Sequence, residues 1–177
     1  MSIEDSDLII TGRLVDASNA TLFGHLQDDE NFKIIYKPVA GERPLWDFPD
    51  GTLALREYAA YLFSEIFGFN LVPTTVLRDG PYGQGMVQEW IEDAQPESLI
   101  NFAQGMDQNL RKMVLFDALI NNADRKYGHI LLTKNQSVLG CDHGVTFHKE
   151  EKLRTVLWQF TGLKLEDHEV HTLEMIN

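Results

Sequence analysis

The sequence predicts an α+β fold in two lobes, a β-rich first half and a helical second half hinged near residues 88–94. Three observations lead there. Short β-branched runs crowd the first ninety residues around a single helical stretch. Helical spacing dominates after Trp90. Strands and helices do not alternate, which argues against a doubly wound parallel sheet. At 177 residues the chain has the length of one domain (1–177), with residues 1–90 forming the first lobe and 91–177 the second.

Residues 8–15 (LIITGRLV) and 32–37 (FKIIYK) are β-branched runs bounded by polar turns, and a further strand is expected near 21–26. A proline closes the strand after Lys37, and 38–51 carries three prolines, as loops do. Residues 53–67 follow helical spacing, with Leu55, Ala59, Leu62, Phe63 and Ile66 on one stripe and Gly68 as the stop. Strands 71–77 and 85–91 follow, joined by RDGPYGQ. Beyond Trp90, helices are expected near 97–106 and over 110–122. A hairpin of 130–133 and 138–141 comes next, then two closing helices, 151–160 and 165–176.

Composition narrows the function. Fifteen Lys and Arg against 27 Asp and Glu give a net charge of −12 and a pI near 4.8. That argues against a nucleic-acid binder, which needs a basic face, but leaves room for a nucleotide site with a few local cations. A 44% hydrophobic content is ample for a core. No apolar run reaches the ~18–20 residues of a membrane span. The acidic start MSIEDSD does not read as a signal peptide, so a soluble, cytoplasmic protein without integral membrane contact is expected. The single cysteine, Cys141, excludes an internal disulfide and a multi-cysteine zinc cluster.

Four residues stand out. Glu57 lies on a helix that is apolar almost all round, so its carboxylate needs a partner unless it sits at the rim. Lys37, at a strand end, is the candidate partner; alone it would be an ordinary surface lysine. Asp124 follows an apolar helix in NNADRKYGH, where the alternative is a helix-terminal turn with Arg125 on carbonyls. Asp142 follows VLGC in DHG, where the alternative is a simple turn. As a pair these acids suit phosphoryl transfer, one orienting the attacking hydroxyl and one holding a metal against phosphates. In the protein-kinase pattern an Asn follows the catalytic Asp by five residues and D-F-G comes later. Here those places hold His129 and D-H-G.

The segments SNAT (18–21), YKPVAGERPLWDFPDGTLALRE (36–57), GMVQEWIE (85–92), NNADRKYGHILL (121–132) and DHGVTFH (142–148) together resemble the phosphatidylinositol 3-/4-kinase-like branch of the protein-kinase-like fold. The nearest match is a mostly actinobacterial kinase-like family; HipA-type and type II phosphatidylinositol 4-kinases are more distantly similar. The resemblance implies a bilobal kinase-like fold and an ATP-dependent phosphotransferase whose acceptor and oligomeric state stay open. Lys37, held by Glu57, would contact the nucleotide phosphates, with Ser18, Asn19 and Thr21 in the covering loop. Gln88, Glu89 and Trp90 would meet adenine. Asp124 would be the catalytic acid and Asp142 the magnesium ligand, with Arg125 near the phosphate or the acids. His129 in place of Asn implies a one-metal site, a preference for manganese over magnesium, or a nucleotide-binding module without turnover. The second lobe is expected to be short for a full helical lobe, with its substrate-binding helices absent or missing from this sequence.

His168 and His171 on an acidic terminal helix read as surface residues, so that with His143 and His148 no zinc cluster is expected. Cys141 reads as a buried structural thiol. Trp46 and Phe48 staple the 38–51 loop to the core rather than cap the cleft, and Arg43 could reach phosphate.

Overall fold

A computed structural model of the chain describes residues 2–15, 19–92 and 96–176. Strands β1 (Leu8–Arg13), β2 (Leu22–Leu26), β3 (Asp29–Pro38), β4 (Thr75–Gly80) and β5 (Gly83–Glu89) form one antiparallel sheet in the order β1-β2-β3-β5-β4. Helix α1 (Leu53–Ile66) lies between β3 and β4 in sequence. The second half contributes α2 (Pro96–Ala103), α3 (Gln108–Leu119), the hairpin β6 (Ile130–Leu132) and β7 (Val138–Gly140), and α4 (Asp167–Ile176). The fold is thus α+β, and no described helix is long and apolar enough to cross a membrane.

The pleat of β3 sorts its side chains to two faces. Ile34 and Tyr36 join Leu8, Leu26, Val76 and Val87 in an apolar cluster on one side of the sheet. Ile35 and Lys37 point the other way, beside their β5 partners Gln88 and Met86. A second cluster gathers Ala60 of α1, Leu110, Met113 and Phe116 of α3, and Ile130 and Val138 of the hairpin.

Several sequence expectations are corrected. The buried face of α1 is Leu53, Ala54, Glu57, Ala60 and Ser64; of the expected apolar stripe, Phe63 packs partly buried against the helical cluster, whereas Leu55 is 53%, Leu62 38% and Ile66 70% exposed. Polar anchors and small residues decide the orientation. Glu57 is held from the sheet side, and Ser64 Oγ accepts the Leu71 N–H at 2.8 Å. Strand 71–77 begins only at Thr75, because Pro73 has no N–H for a ladder and Leu71 and Val72 turn into the helical cluster. The strand at Lys37 runs on through Pro38.

The expected helix 151–160 is mostly irregular, ending in a 3-10 turn, Trp158–Phe160. Its backbone pairs with a neighbouring loop instead: Lys152 N–H donates to Asn121 Oδ1, Arg154 N–H to the Asn122 carbonyl, and Arg125 N–H to the Arg154 carbonyl.

Gly85 sits where a side chain has no room, since a Cβ there would lie 2.5 Å from the Lys37 carbonyl and 2.7 Å from Pro38 Cα. Both are backbone atoms of β3. Gly85→Ala should therefore cost about 1–3 kcal/mol in urea denaturation, as overpacking does.

Helix α4 buries only Glu169, which receives Arg111 Nε and Nη2 at 2.7 Å each. Arg111 holds the Glu169 carboxyl below its usual range, with burial opposing. A depressed folded-state pKa gives stability that is complete above the unfolded value, ~4.3, and is lost as pH falls through the folded one. Hydrogen exchange over residues 167–176 should therefore stay protected from pH 7 to ~4.3 and lose protection below. Arg111→Ala should abolish that protection at neutral pH and remove its acid dependence.

Candidate functional site

The site centres on Lys37. Its Nζ lies 2.6 Å from Glu57 Oε1 and 2.8 Å from Asp142 Oδ1, joining β3, α1 and the turn after β7. Glu57 is 2% exposed, and its second oxygen accepts the His143 N–H at 2.7 Å. Burial acts to lower the Lys37 pKa, but the two carboxylates outweigh it and hold the ammonium well above its ordinary value. Lys37 in turn holds Asp142 well below the usual carboxylate range, against burial and with help from His129. Burial pushes Glu57 up, opposed by Lys37 and the His143 N–H. Asp142 adopts φ 59°, a left-handed conformation that Asp tolerates better than most residues.

Two cavities meet at Lys37 and Asp142. One, of about 300 Å³, is mostly apolar and lined by Leu14, Thr21, Ile35, Gln88, Glu89, Trp90, Ile91, His129, Leu131 and Cys141. The other, of about 490 Å³, is more polar and brings together Asn19, Glu42, Arg43, Asp47, Glu57, Asp124 and Arg154. Lys37, Glu57, Asp142 and Asp124 thus line one continuous region, with Gln88, Glu89 and Trp90 at its apolar end. Ser18 lies outside the described residues.

Several of these groups are already engaged. Asn19 Oδ1 accepts the Arg43 N–H at 2.8 Å, and Thr21 is buried with its hydroxyl toward the Asn19 carbonyl at 3.5 Å. Gln88 Nε2 donates to Thr75 Oγ1 at 2.9 Å, and the Trp90 N–H donates to the Lys33 carbonyl. Asp124 faces Lys126 Nζ at 2.6 Å and Arg154 Nη1 at 3.8 Å, and its N–H is held by Asn122 Oδ1. His129 lies between the acids: Nδ1 is 2.9 Å from the Asp124 carbonyl and Nε2 3.3 Å from Asp142 Oδ2. Burial lowers the His129 pKa, with Asp142 opposing.

Of the two expected neighbourhoods of Arg125, the one beside the acids is seen, its Nη1 meeting the carbonyl of Cys141 next to Asp142. Arg125 is 1% exposed and faces the interior rather than a phosphate. Its Nε and Nη2 donate to Asp117 at 2.9 and 2.8 Å, Nη1 to the His129 and Cys141 carbonyls, and Nη2 to His143 Nε2 at 2.8 Å. A guanidinium only donates, so His143 Nε2 is the acceptor and Nδ1 carries the hydrogen; Nδ1 is buried without a hydrogen-bond partner. Burial and Arg125 hold the His143 pKa well below its ordinary value.

Phe48 staples its loop, 6% exposed, with the Arg56 guanidinium 5.0 Å above its ring and His148 against its edge. Trp46 does not, being 92% exposed with only Lys152 over its ring. Cys141 is half-buried rather than buried, its thiol pushed up to about 12 by burial and then by Asp142. His168 and His171 are exposed. Among the described residues no three His, Cys, Asp or Glu side chains converge as a metal cluster.

Sequence reasoning missed Asp117, Glu42 and Arg154. Asp117 carried the same signal as Glu57, an acid on an apolar helix. Glu42 caps α1, accepting the Leu53 and Ala54 N–H groups at 3.1 and 2.8 Å from eleven residues upstream, a relation no local spacing reveals.

Chemically, the arrangement offers a fixed cation, a carboxylate–imidazole pair able to share a divalent ion, and a second carboxylate in reach of the same cavity. These features define an α+β protein with a charged cleft between an antiparallel sheet and the loops of its second half. Protein Rv2133c of Mycobacterium tuberculosis is 43% identical over an alignment 203 positions long, gaps included, that spans 93% of this chain and 72% of that protein. The chain belongs to the family of Rv2133c. Comparison with models of known protein families finds no match.

Removing Arg125 would strand Asp117 in the interior. Arg125→Ala should cost about 3–5 kcal/mol in urea denaturation, and the double variant Arg125→Met/Asp117→Met should recover much of that loss.

Proposed function

We propose that this protein is an ATP-dependent phosphotransferase of the phosphatidylinositol 3-/4-kinase-like type, with a bilobal kinase-like fold. The observation that carries the reading is Lys37, clamped between Glu57 and Asp142 where an apolar cavity meets a polar one. The apolar cavity suits a purine, with Leu14 and Leu131 as apolar walls and the backbone of 89–91 at its edge. Lys37 then contacts the phosphates while Glu57 keeps it in place. Asp142 and His129 would hold magnesium or another divalent cation, which would supply positive charge to offset the phosphate oxygens. Asp124 orients the acceptor hydroxyl and takes its proton. The hydroxyl oxygen bonds to the γ-phosphorus, the bond from that phosphorus to the bridging oxygen breaks, and ADP leaves with that oxygen. The acceptor is an alcohol in the polar cavity.

A second reading, nucleotide binding without turnover, is favoured by His129 standing where the kinase pattern has Asn.

Thermal shift with ATP, with and without magnesium or manganese, tests both. A ligand at 100 times its Kd stabilises by ~2.7 kcal/mol, a shift of several degrees for a domain this size. The shift should require metal and vanish in Asp142→Asn. Asp124→Asn should keep the shift and lose γ-phosphate transfer. No shift with any nucleotide and metal would remove both readings, and a shift without phosphate transfer by the wild type would leave the second.

A further inference from the structure

We propose that the outer face of α1 is a self-association surface, on which two copies of this chain pair reversibly through antiparallel α1 helices. The inference does not rest on the phosphotransferase reading.

Helix α1 turns an apolar stripe to solvent. Leu55, Ala59, Leu62 and Ile66 follow one another at spacings of four, three and four residues, the seam spacing of a coiled coil. With Tyr58 they run along a helix of 14 residues, about 20 Å long. Leu55, Leu62 and Ile66 are exposed, and Tyr58 and Ala59 are half-buried. Glu57 and Ser64 point the other way, into the fold. A stripe of this kind normally marks the face a helix buries. Here the described residues of the chain leave it open to solvent.

The stripe is complementary to itself. Turned end for end about a two-fold axis between Ala60 and Tyr61, it sets Leu55 against Ile66 of the second copy and Ala59 against Leu62 of the second copy. The small Ala59 leaves the hollow that the leucine fills. Such a contact is isologous and closes at two copies. It also sets the two helix dipoles head to tail. Helix α1 has no acid in its first turn and no base in its last, so each end meets its opposite in the other copy.

Charge favours this face, and area sets the strength. A chain of net charge −12 repels its own copy, so two copies meet where the surface carries least charge. Glu65 is the one charged residue on the face, at the rim, level with Tyr58 of the second copy, whose hydroxyl can donate to it. Arg56 is turned aside to the Thr146 carbonyl. Burying a whole Leu or Ile removes on the order of 100 Å² of apolar surface, so the stripe and its rim supply roughly 200–400 Å² per copy. A standard interface buries ~800 Å² per partner, which places this dimer in the weak, reversible class with a Kd of about 1 μM or above.

Sedimentation equilibrium of the full chain from about 1 to 500 μM should show the mass rising from 20.2 kDa toward twice that value. Raising salt from ~0.05 to ~0.5 M should strengthen association, because it screens like charge and leaves an apolar seam intact. Leu55→Lys and Ile66→Glu should each abolish the dimer. An equimolar mixture of the two variants should associate at least about tenfold more tightly than either alone, since only the mixed pair sets the new lysine against the new glutamate. Leu163→Lys, at an exposed leucine in the segment before α4, should change nothing. Four outcomes overturn the inference: a monomer at every concentration and salt, a dimer that survives either α1 variant, a dimer lost equally in Leu163→Lys, or variants that stay apart when mixed. Leu55 and Ile66 are both exposed, so neither substitution puts a charge into the core.

Discussion

The ion pair between Lys37 and Glu57 is the constraint from which the rest of the cleft follows. Glu57 is almost wholly withdrawn from water, which is tolerable only because both of its oxygens are occupied, one by Lys37 Nζ and one by the His143 N–H. A single carboxylate therefore fixes three elements: the central strand β3, the helix α1 and the turn that carries Asp142. The same demand explains why α1 presents its small and polar residues inward and leaves Leu55, Leu62 and Ile66 in solvent. Those three aliphatic side chains against the sheet would have been worth several kcal/mol, yet an unpaired buried carboxylate costs as much or more. The polar contact chose the face.

A second buried pair does the corresponding work for the other half. Arg125 reaches from the Asp124 loop into the interior, where Asp117 binds it in a fork and the His129 and Cys141 carbonyls take the remaining donors. The loop carrying Asp124 and the 3-10 turn carrying His129 are thereby tied to α3 and to the end of β7. Around them, the 150–154 segment gives up helical bonding to pair with the same loop. Asp124 and Asp142 come from separate chain segments, yet their backbones hang from one guanidinium and its neighbours. Catalytic or ligating side chains need this kind of rigid support to hold position.

The strands, α1, α3, the hairpin and α4 were legible because each combines apolar periodicity with clear stops, such as Gly68 after α1. Lys37, Glu57, Asp124 and Asp142 were legible as a set because an acid on an apolar helix and acids at element ends are chemically out of place. What could not be read was which long-range polar contact would win a local contest. Residues 151–160 have helical spacing, but their N–H groups found Asn121 and Asn122. LVP in 71–73 has strand composition, but Leu71 and Val72 fitted the helical cluster better. Arg125 beside Asp124 looked like a charged loop residue, and only the depth of Asp117 turns it inward. Glu42 capping a helix eleven residues away leaves no trace in sequence spacing at all.

The two carboxylates on Lys37 are not equivalent, and the difference sets what can change in the cleft. Glu57 has both oxygens satisfied and almost no access to solvent, so displacing it would strand a charge. The Asp142 side chain is 49% exposed, uses one oxygen on Lys37 and turns the other toward His129. If Asp142 moves away, Lys37 keeps Glu57 and remains neutralised, while Asp142 regains hydration or a new cation. The ion-pair chain is therefore anchored at its buried end and exchangeable at its open end. Any cation or anion entering the cleft competes for Lys37 and Asp142, and the sheet–helix contact beneath them need not yield.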